Sequence, residues 1–201
     1  LKNDIVTLGM VENLRIEENK VGFQLVLTTP ACPLKGKFQK ECIEAIHQKV
    51  DPNLIVEVEM ISRVTSTRKK AVESLSGVKN IIAIASGKGG VGKSTIAANL
   101  AVALARTGAS TGLLDADIYG PSQVMMFGLN NIRPGVTQLN GRDLIEPVEK
   151  YDVKILSIGF FVDPDKALIW RGPMASGALT QLFTDANWGV LDYLVIDMPP
   201  G

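Results

Sequence analysis

Residues Gly87-Lys88-Gly89-Gly90-Val91-Gly92-Lys93-Ser94 fit the pattern G-x-x-x-x-G-K-S/T, and no other stretch narrows the fold as far. The apolar run Ile81-Ile82-Ala83-Ile84-Ala85 precedes it. An amphipathic stretch from Ser94 to about Arg106 follows, with Ile96, Leu100, Val102 and Leu104 as its expected apolar set. Strand, glycine loop and helix in that order turn backbone N–H groups around an anion, with the helix N-terminus behind them. The four glycines supply backbone angles that side chains forbid. Lys93 is placed to reach the β- and γ-phosphates, and Ser94 to put a hydroxyl on Mg2+. The expected ligands are therefore ATP and magnesium, held by a P-loop.

The rest of the second segment reads as α/β. Ile81–Ala85, apolar throughout, suits the inside of a parallel sheet covered on both faces. Thr111-Gly112-Leu113-Leu114-Asp115 is the next strand and closes a βαβ unit. Val153 to Ile158 reads as a strand, Pro173 to Phe183 as a helix, and Leu191 to Ile196 as a last buried strand. The expected fold is a doubly wound, mostly parallel sheet, incomplete at its C-terminal side.

Carboxylates stand where such a sheet keeps its ligand crevice. The run Leu191-Asp192-Tyr193-Leu194-Val195-Ile196 ends in Asp197, and Met198-Pro199-Pro200-Gly201 then bends the chain away. Asp197 is thus a candidate for holding magnesium through water. Asp115-Ala116-Asp117 ends the strand after the P-loop helix. One of these two can support magnesium and the other can orient an attacking water; the other reading is a polar turn with Gly120-Pro121. Lys88 is either an exposed variable position or a lysine that crosses a dimer interface to the partner's phosphates.

The first segment, residues 1–61, reads as a small α+β unit. Ile5–Val11 and Val21–Leu27 look like a hairpin around Glu18-Asn19-Lys20. Thr28-Thr29-Pro30-Ala31-Cys32-Pro33 makes a stiff loop. Lys35 to Val50 reads as a helix with Phe38, Cys42, Ile46 and Val50 on one apolar face, and Leu54–Ile61 as a strand. Residues 62–79 are polar and basic at first and read as a linker, or less simply as a contact for an acidic partner. The third part, 80–201, carries the P-loop.

Twenty-one basic residues balance 21 acidic ones, which leaves no overall footprint for nucleic acid or an anionic membrane. Cys32 and Cys42 are ten apart, so they form neither C-x-x-C nor a zinc spacing. A reducing, cytoplasm-like compartment or an organelle stroma or matrix fits two thiols in a chain of this length. No signal peptide or membrane-length apolar run is visible. Leu1 is not a start methionine and the end is abrupt, so a fragment of a longer protein is the expectation. Cys32 is either a small apolar loop residue or a functional thiol, and Cys42 is expected in the core. Arg171 either contacts nucleotide or partner or is structural. His47 is expected on the surface of its helix, and Trp170 and Trp188 in packing.

Four stretches together carry a resemblance. These are Ser86 to Thr95, Asp115 to Ser122, Trp170-Arg171-Gly172-Pro173 and Asp197 to Gly201. They resemble the Mrp family of iron–sulfur cluster carrier ATPases, within the deviant Walker-A dimeric ATPases. Residues Asp4 to Val11 and Thr29 to Pro33 resemble the small domain fused ahead of the ATPase in many of its members. The resemblance implies slow, magnesium-dependent ATP hydrolysis that loads clusters onto apoproteins, a chaperone-like task shared with assembly factors. It implies nucleotide contacts from Gly87, Lys88, Gly89, Gly90, Val91, Gly92, Lys93, Ser94 and Thr95. Lys88 would act across an ATP-sandwiched homodimer, Asp117 would orient water, and Asp115 and Asp197 would serve magnesium with Ser94. Cys32 would be the small domain's thiol. The family's 4Fe–4S cluster is bridged by a C-terminal C-x-x-C pair absent from this chain. Two rivals use the same scaffold: a positioning or partition switch, and a biosynthetic ligase.

Overall fold

The computed structural model describes residues 4–30, 32–64, 75–139, 141–161 and 172–201, with the backbone alone for 172–176. Trp170, Arg171, Ala31 and the middle of the expected linker, 65–74, lie outside the described residues. The chain divides into two compact units, Leu1–Thr65 and Ser66–Gly201.

In the first unit the described order is β1 (Val11–Glu17), β2 (Lys20–Leu27), α1 (Lys35–Lys49) and β3 (Ile55–Ser62). β1 and β2 form the expected hairpin, antiparallel, and β3 lies parallel to β2. The hairpin's first strand is not Ile5–Val11, however. Asp4 Oδ1 accepts the Val6 and Thr7 N–H groups at 3.0 and 2.8 Å, which curls residues 5–9 into a turn that ends at Gly9 with φ +66°. The Thr7 hydroxyl adds a bond to the same carboxylate, and it holds the Asp4 carboxyl below the usual range. Phe23, Leu25, Val58 and Cys42 make the core, with Phe38 and Ile46 packed against it. Burial pushes the Cys42 thiol up, as suits an inert core thiol. Val50, expected on that helix face, is exposed because α1 ends at Lys49. His47 is half-buried rather than on the surface; its Nε2 lies 3.0 Å from the Leu54 carbonyl and ties the helix end to the start of β3.

In the second unit the order is β4 (Val78–Ile84), α2 (Lys93–Arg106), β5 (Thr111–Asp115), α3 (Gln123–Met126), β6 (Val136–Leu139), β7 (Arg142–Ile145), β8 (Val148–Lys150), β9 (Val153–Ser157), α4 (Gly172–Thr184) and β10 (Leu191–Asp197). Among the described residues the main sheet has the order β4-β10-β5-β9-β8, and β8 alone runs antiparallel. This is the α/β, parallel-rich sheet expected. Among the described residues β4 pairs with β10 alone, and its burial alternates, with Ile81 37% exposed. The β6–β7 hairpin and β8 carry too little apolar periodicity to show in the sequence.

α2 packs Leu100, Val102 and Leu104 of the expected set, partly buried, against the core, but not Ile96. Ala97, Ala98, Ala101 and Ala105 face the core, whereas Ile96 is 57% exposed. Small side chains let the helix lie close on the sheet, and these alanines are the buried part of that contact. A second close approach lies ahead of β4. A Cβ on Gly77 would stand 2.2 Å from the Gly189 carbonyl oxygen, a backbone atom that cannot swing away. Gly77→Ala is expected to lower the unit's stability by about 1–3 kcal/mol in urea titrations; an unchanged midpoint would show that the strand start shifts freely.

Candidate functional site

Three parallel strands end on one row of polar residues. Asp197 of β10 is in register with Asp115 of β5, and Asp115 with Ser157 of β9. The period-2 alternation of strands puts these side chains together at the carboxyl edge of the sheet, where the chain leaves for its loops. The glycine loop leaves β4 at the same edge. Gly90 and Gly92 take φ of +74° and +88°, and Gly92 is the N-cap of α2, with its carbonyl accepting the Ile96 N–H at 2.9 Å. A side chain with Cβ is strained at such angles, so these two glycines are required by the path of the backbone.

Lys93, at the first turn of α2, is only 8% exposed. Its Nζ donates to Asp197 Oδ1 at 2.5 Å, lies 3.6 Å from Asp117 Oδ2, and is 3.3 Å from the Ser94 hydroxyl. Lys93, Ser94, Asp117 and Asp197 therefore meet in one place. Asp115 lies behind them and is fully buried. Its Oδ2 accepts the Gln123 N–H at 3.1 Å and the Ser157 hydroxyl at 2.9 Å; its Oδ1 accepts the Asp117 N–H at 3.2 Å. Burial raises the Asp115 carboxyl to about 6, and the neighbouring Asp197 charge adds to this against those hydrogen bonds.

Other candidates stand apart from this cluster. Lys88, Val91 and Thr95 are exposed on the loop and helix, and Lys88 makes no ion pair among the described residues. Cys32 is half-buried in the first unit, and Trp188 is core. Two residues of the cluster had no sequence signal. Gln123 is fully buried against Asp115, Ser94 and Asp197, one position beyond the Asp115–Ser122 stretch; Ser157 is simply the end of a strand.

The donor set suits a hard divalent cation. Two buried carboxylates, Asp117 and Asp197, face the Lys93 ammonium, and the groups on hand are hydroxyl and carboxylate oxygens. Among the described residues no three His, Cys, Asp or Glu side chains form a complete metal site.

A glycine loop opening a helix, a buried lysine behind it and strand-end carboxylates beside it define a P-loop NTPase. Residues 77–201 match the family described as NUBPL iron-transfer P-loop NTPase, and the chain belongs to that family. Residues 1–60 match the family described as iron-sulfur cluster assembly protein. The chain is 47% identical to the iron-sulfur cluster carrier protein of Synechocystis, over 100% of this chain and 57% of that one. It is 40% identical to the protein of the same name in Escherichia coli, over 100% of this chain and 54% of that one. A chloroplastic Fe-S cluster assembly factor of Arabidopsis thaliana is 43% identical over 98% of this chain and 37% of its own length. Among solved structures, a nucleotide-binding protein of Archaeoglobus fulgidus in complex with ADP has a TM-score of 0.54 at 39% identity, over 64% of this chain and 48% of that one. The chain spans about half the length of the bacterial relatives it matches. No helix among the described residues is long and apolar enough to cross a membrane.

Proposed function

We propose that the protein binds and slowly hydrolyses ATP with Mg2+, and uses that cycle to carry an iron–sulfur cluster to apoproteins. The observation that carries the nucleotide half is the enclosed meeting of Lys93 with Asp117 and Asp197 beside the glycine loop. The matches of both units to iron–sulfur families support the cargo half.

In this reading the loop amides of 87–92 and Lys93 take the phosphates. Lys93 exchanges Asp197 and Asp117 for phosphate oxygens, so its charge is satisfied before and after binding. Bound magnesium would neutralise phosphate charge, and Ser94 and Asp197 are the residues that would hold it. Asp115, whose two oxygens already accept hydrogen bonds, supports the site from behind. Asp117 aims water, and its own carboxylate is steadied by the Gly120 N–H at 3.2 Å. Lys88, free of ion pairs among the described residues, acts across a homodimer. The cluster is cargo. Cys42 is buried and Cys32 is ten residues away in sequence, so these two thiols are not the ligand pair of the cluster. Cys32 takes part in cluster or partner handling. The domain limits proposed are 1–61, 62–79 and 80–201, in a cytoplasmic or stromal setting.

The test is anaerobic iron and sulfide analysis of the full-length protein after reconstitution. Roughly two irons per chain are expected, as a 4Fe–4S cluster shared by two subunits requires. ATP with Mg2+ should change the rate of transfer to an apoprotein. A protein that takes up no iron, or transfers it at the same rate with and without ATP, sinks the carrier reading. A nucleotide-driven positioning switch or a ligase would then lead.

A further inference from the structure

Gln123 is fully buried in the site, yet the chemistry above gives it no task. Its Nε2 donates to the Ser94 carbonyl at 3.0 Å and to Asp197 Oδ2 at 2.8 Å. Its main-chain N–H donates to Asp115 Oδ2. Both side-chain partners are pure acceptors, so the nitrogen must face them and the amide orientation is settled. Its Oε1 is enclosed and has no donor among the described residues. An acceptor left in that state is costly, and an apolar side chain of the same size would avoid the cost. Packing alone therefore does not account for an amide at this position.

The two bonds have a common consequence. The Asp197 carboxylate is held at one oxygen by Lys93 and at the other by Gln123. When phosphates draw Lys93 away, Gln123 is the group among the described residues that still fixes the plane of that carboxylate. The same amide grips the backbone of Ser94, the residue whose hydroxyl stands beside Lys93. One side chain thus sets the spacing between the hydroxyl and the carboxylate.

We propose that Gln123 is a positioning residue that holds Ser94 and Asp197 in the arrangement that accepts the magnesium accompanying the nucleotide. Magnesium affinity, more than nucleotide affinity, depends on it. This rests on the reading of the site as one for Mg2+ and ATP. Outer-shell groups that orient a ligating carboxylate carry effects of this kind in metal sites.

The test uses the full-length protein, a fluorescent ATP analogue and added MgCl2, with Mn2+ binding followed by electron paramagnetic resonance. Gln123→Met keeps the volume and removes the donors. Gln123→Glu keeps the shape and, when ionised, puts an acceptor where both donors were. In both, analogue affinity in EDTA should stay near the parent's, while the Mg2+ or Mn2+ concentration for half-saturation rises about 10- to 100-fold. Equal losses with and without the cation would mark Gln123 as structural and overturn the inference, as would no change in either. So would loss of the cooperative melting transition in both variants. If the parent protein itself binds no analogue with Mg2+, the site reading fails; if it binds and the variants match it, only the role of Gln123 fails.

Discussion

Lys93→Ala is expected to abolish the rise in melting temperature that ATP and Mg2+ produce, and to lower the melting temperature of the ligand-free protein as well. The two effects have separate causes. Lys93 is the ammonium set against Asp117 and Asp197, both of them buried. Removing one partner of a buried pair leaves uncompensated charge in a poorly solvated place, at about 3–5 kcal/mol. For a unit of this size that is a fall of roughly 10 °C. With ligand, the variant also lacks its charge-assisted bonds to phosphate, each worth about 1.5–3 kcal/mol. Affinity should drop by about 100-fold or more, and ligand stabilisation, which follows the ratio of ligand concentration to Kd, should vanish. Differential scanning fluorimetry in EDTA, then with Mg2+ and ATP, reads both effects. Lys93→Met, which keeps the apolar stem, separates lost charge from lost packing. A variant with the parent's melting temperature and the parent's rise on ligand addition would show that the ammonium belongs to neither state.

The sequence was most legible where backbone and chemistry demand the same residues. The loop from Gly87 to Ser94 needs glycine for its positive φ angles and lysine for charge, so both constraints are written in one stretch. Thr111–Asp115 and Leu191–Asp197 each end in a carboxylate on adjacent strands in register, so their meeting follows from the strand pattern once the sheet order is known. Side-chain partners between distant segments were not legible. Gln123 and Ser157 are ordinary polar residues whose role appears only when a loop folds back on the sheet edge. One member of the expected apolar face of α2, Ile96, was misread for a related reason. Hydrophobicity ranks Ile96 above Ala97, but a tight helix–sheet contact selects small volume. The turn at residues 5–9 went unseen because a single carboxylate, Asp4, decided it against the apolar run.

Asp115 gives the protein a measurable dependence on pH in the absence of metal and nucleotide. Its carboxyl sits at about 6 in the folded state against an ordinary 3.8, chiefly because it is buried, with the Asp197 charge adding to it. Between these two values the folded chain holds a proton that the unfolded chain has released. Stability from this group is therefore full below about 3.8 and is lost as pH rises through about 6. The whole difference corresponds to about 3 kcal/mol, of which roughly 1.4 kcal/mol falls between pH 7.5 and pH 5. Asp115→Asn carries no titrating group there. Its carbonyl oxygen can still accept from Gln123 and Ser157, while its amide nitrogen would face the Asp117 N–H and lose one hydrogen bond. That loss, about 1 kcal/mol, is the same at both pH values. Urea titrations in EDTA should then show the parent gaining about 1.4 kcal/mol more than the variant when pH falls from 7.5 to 5. Other groups titrate in both proteins and cancel in the comparison. Equal pH responses in the two would mean that Asp115 stays charged in the folded state.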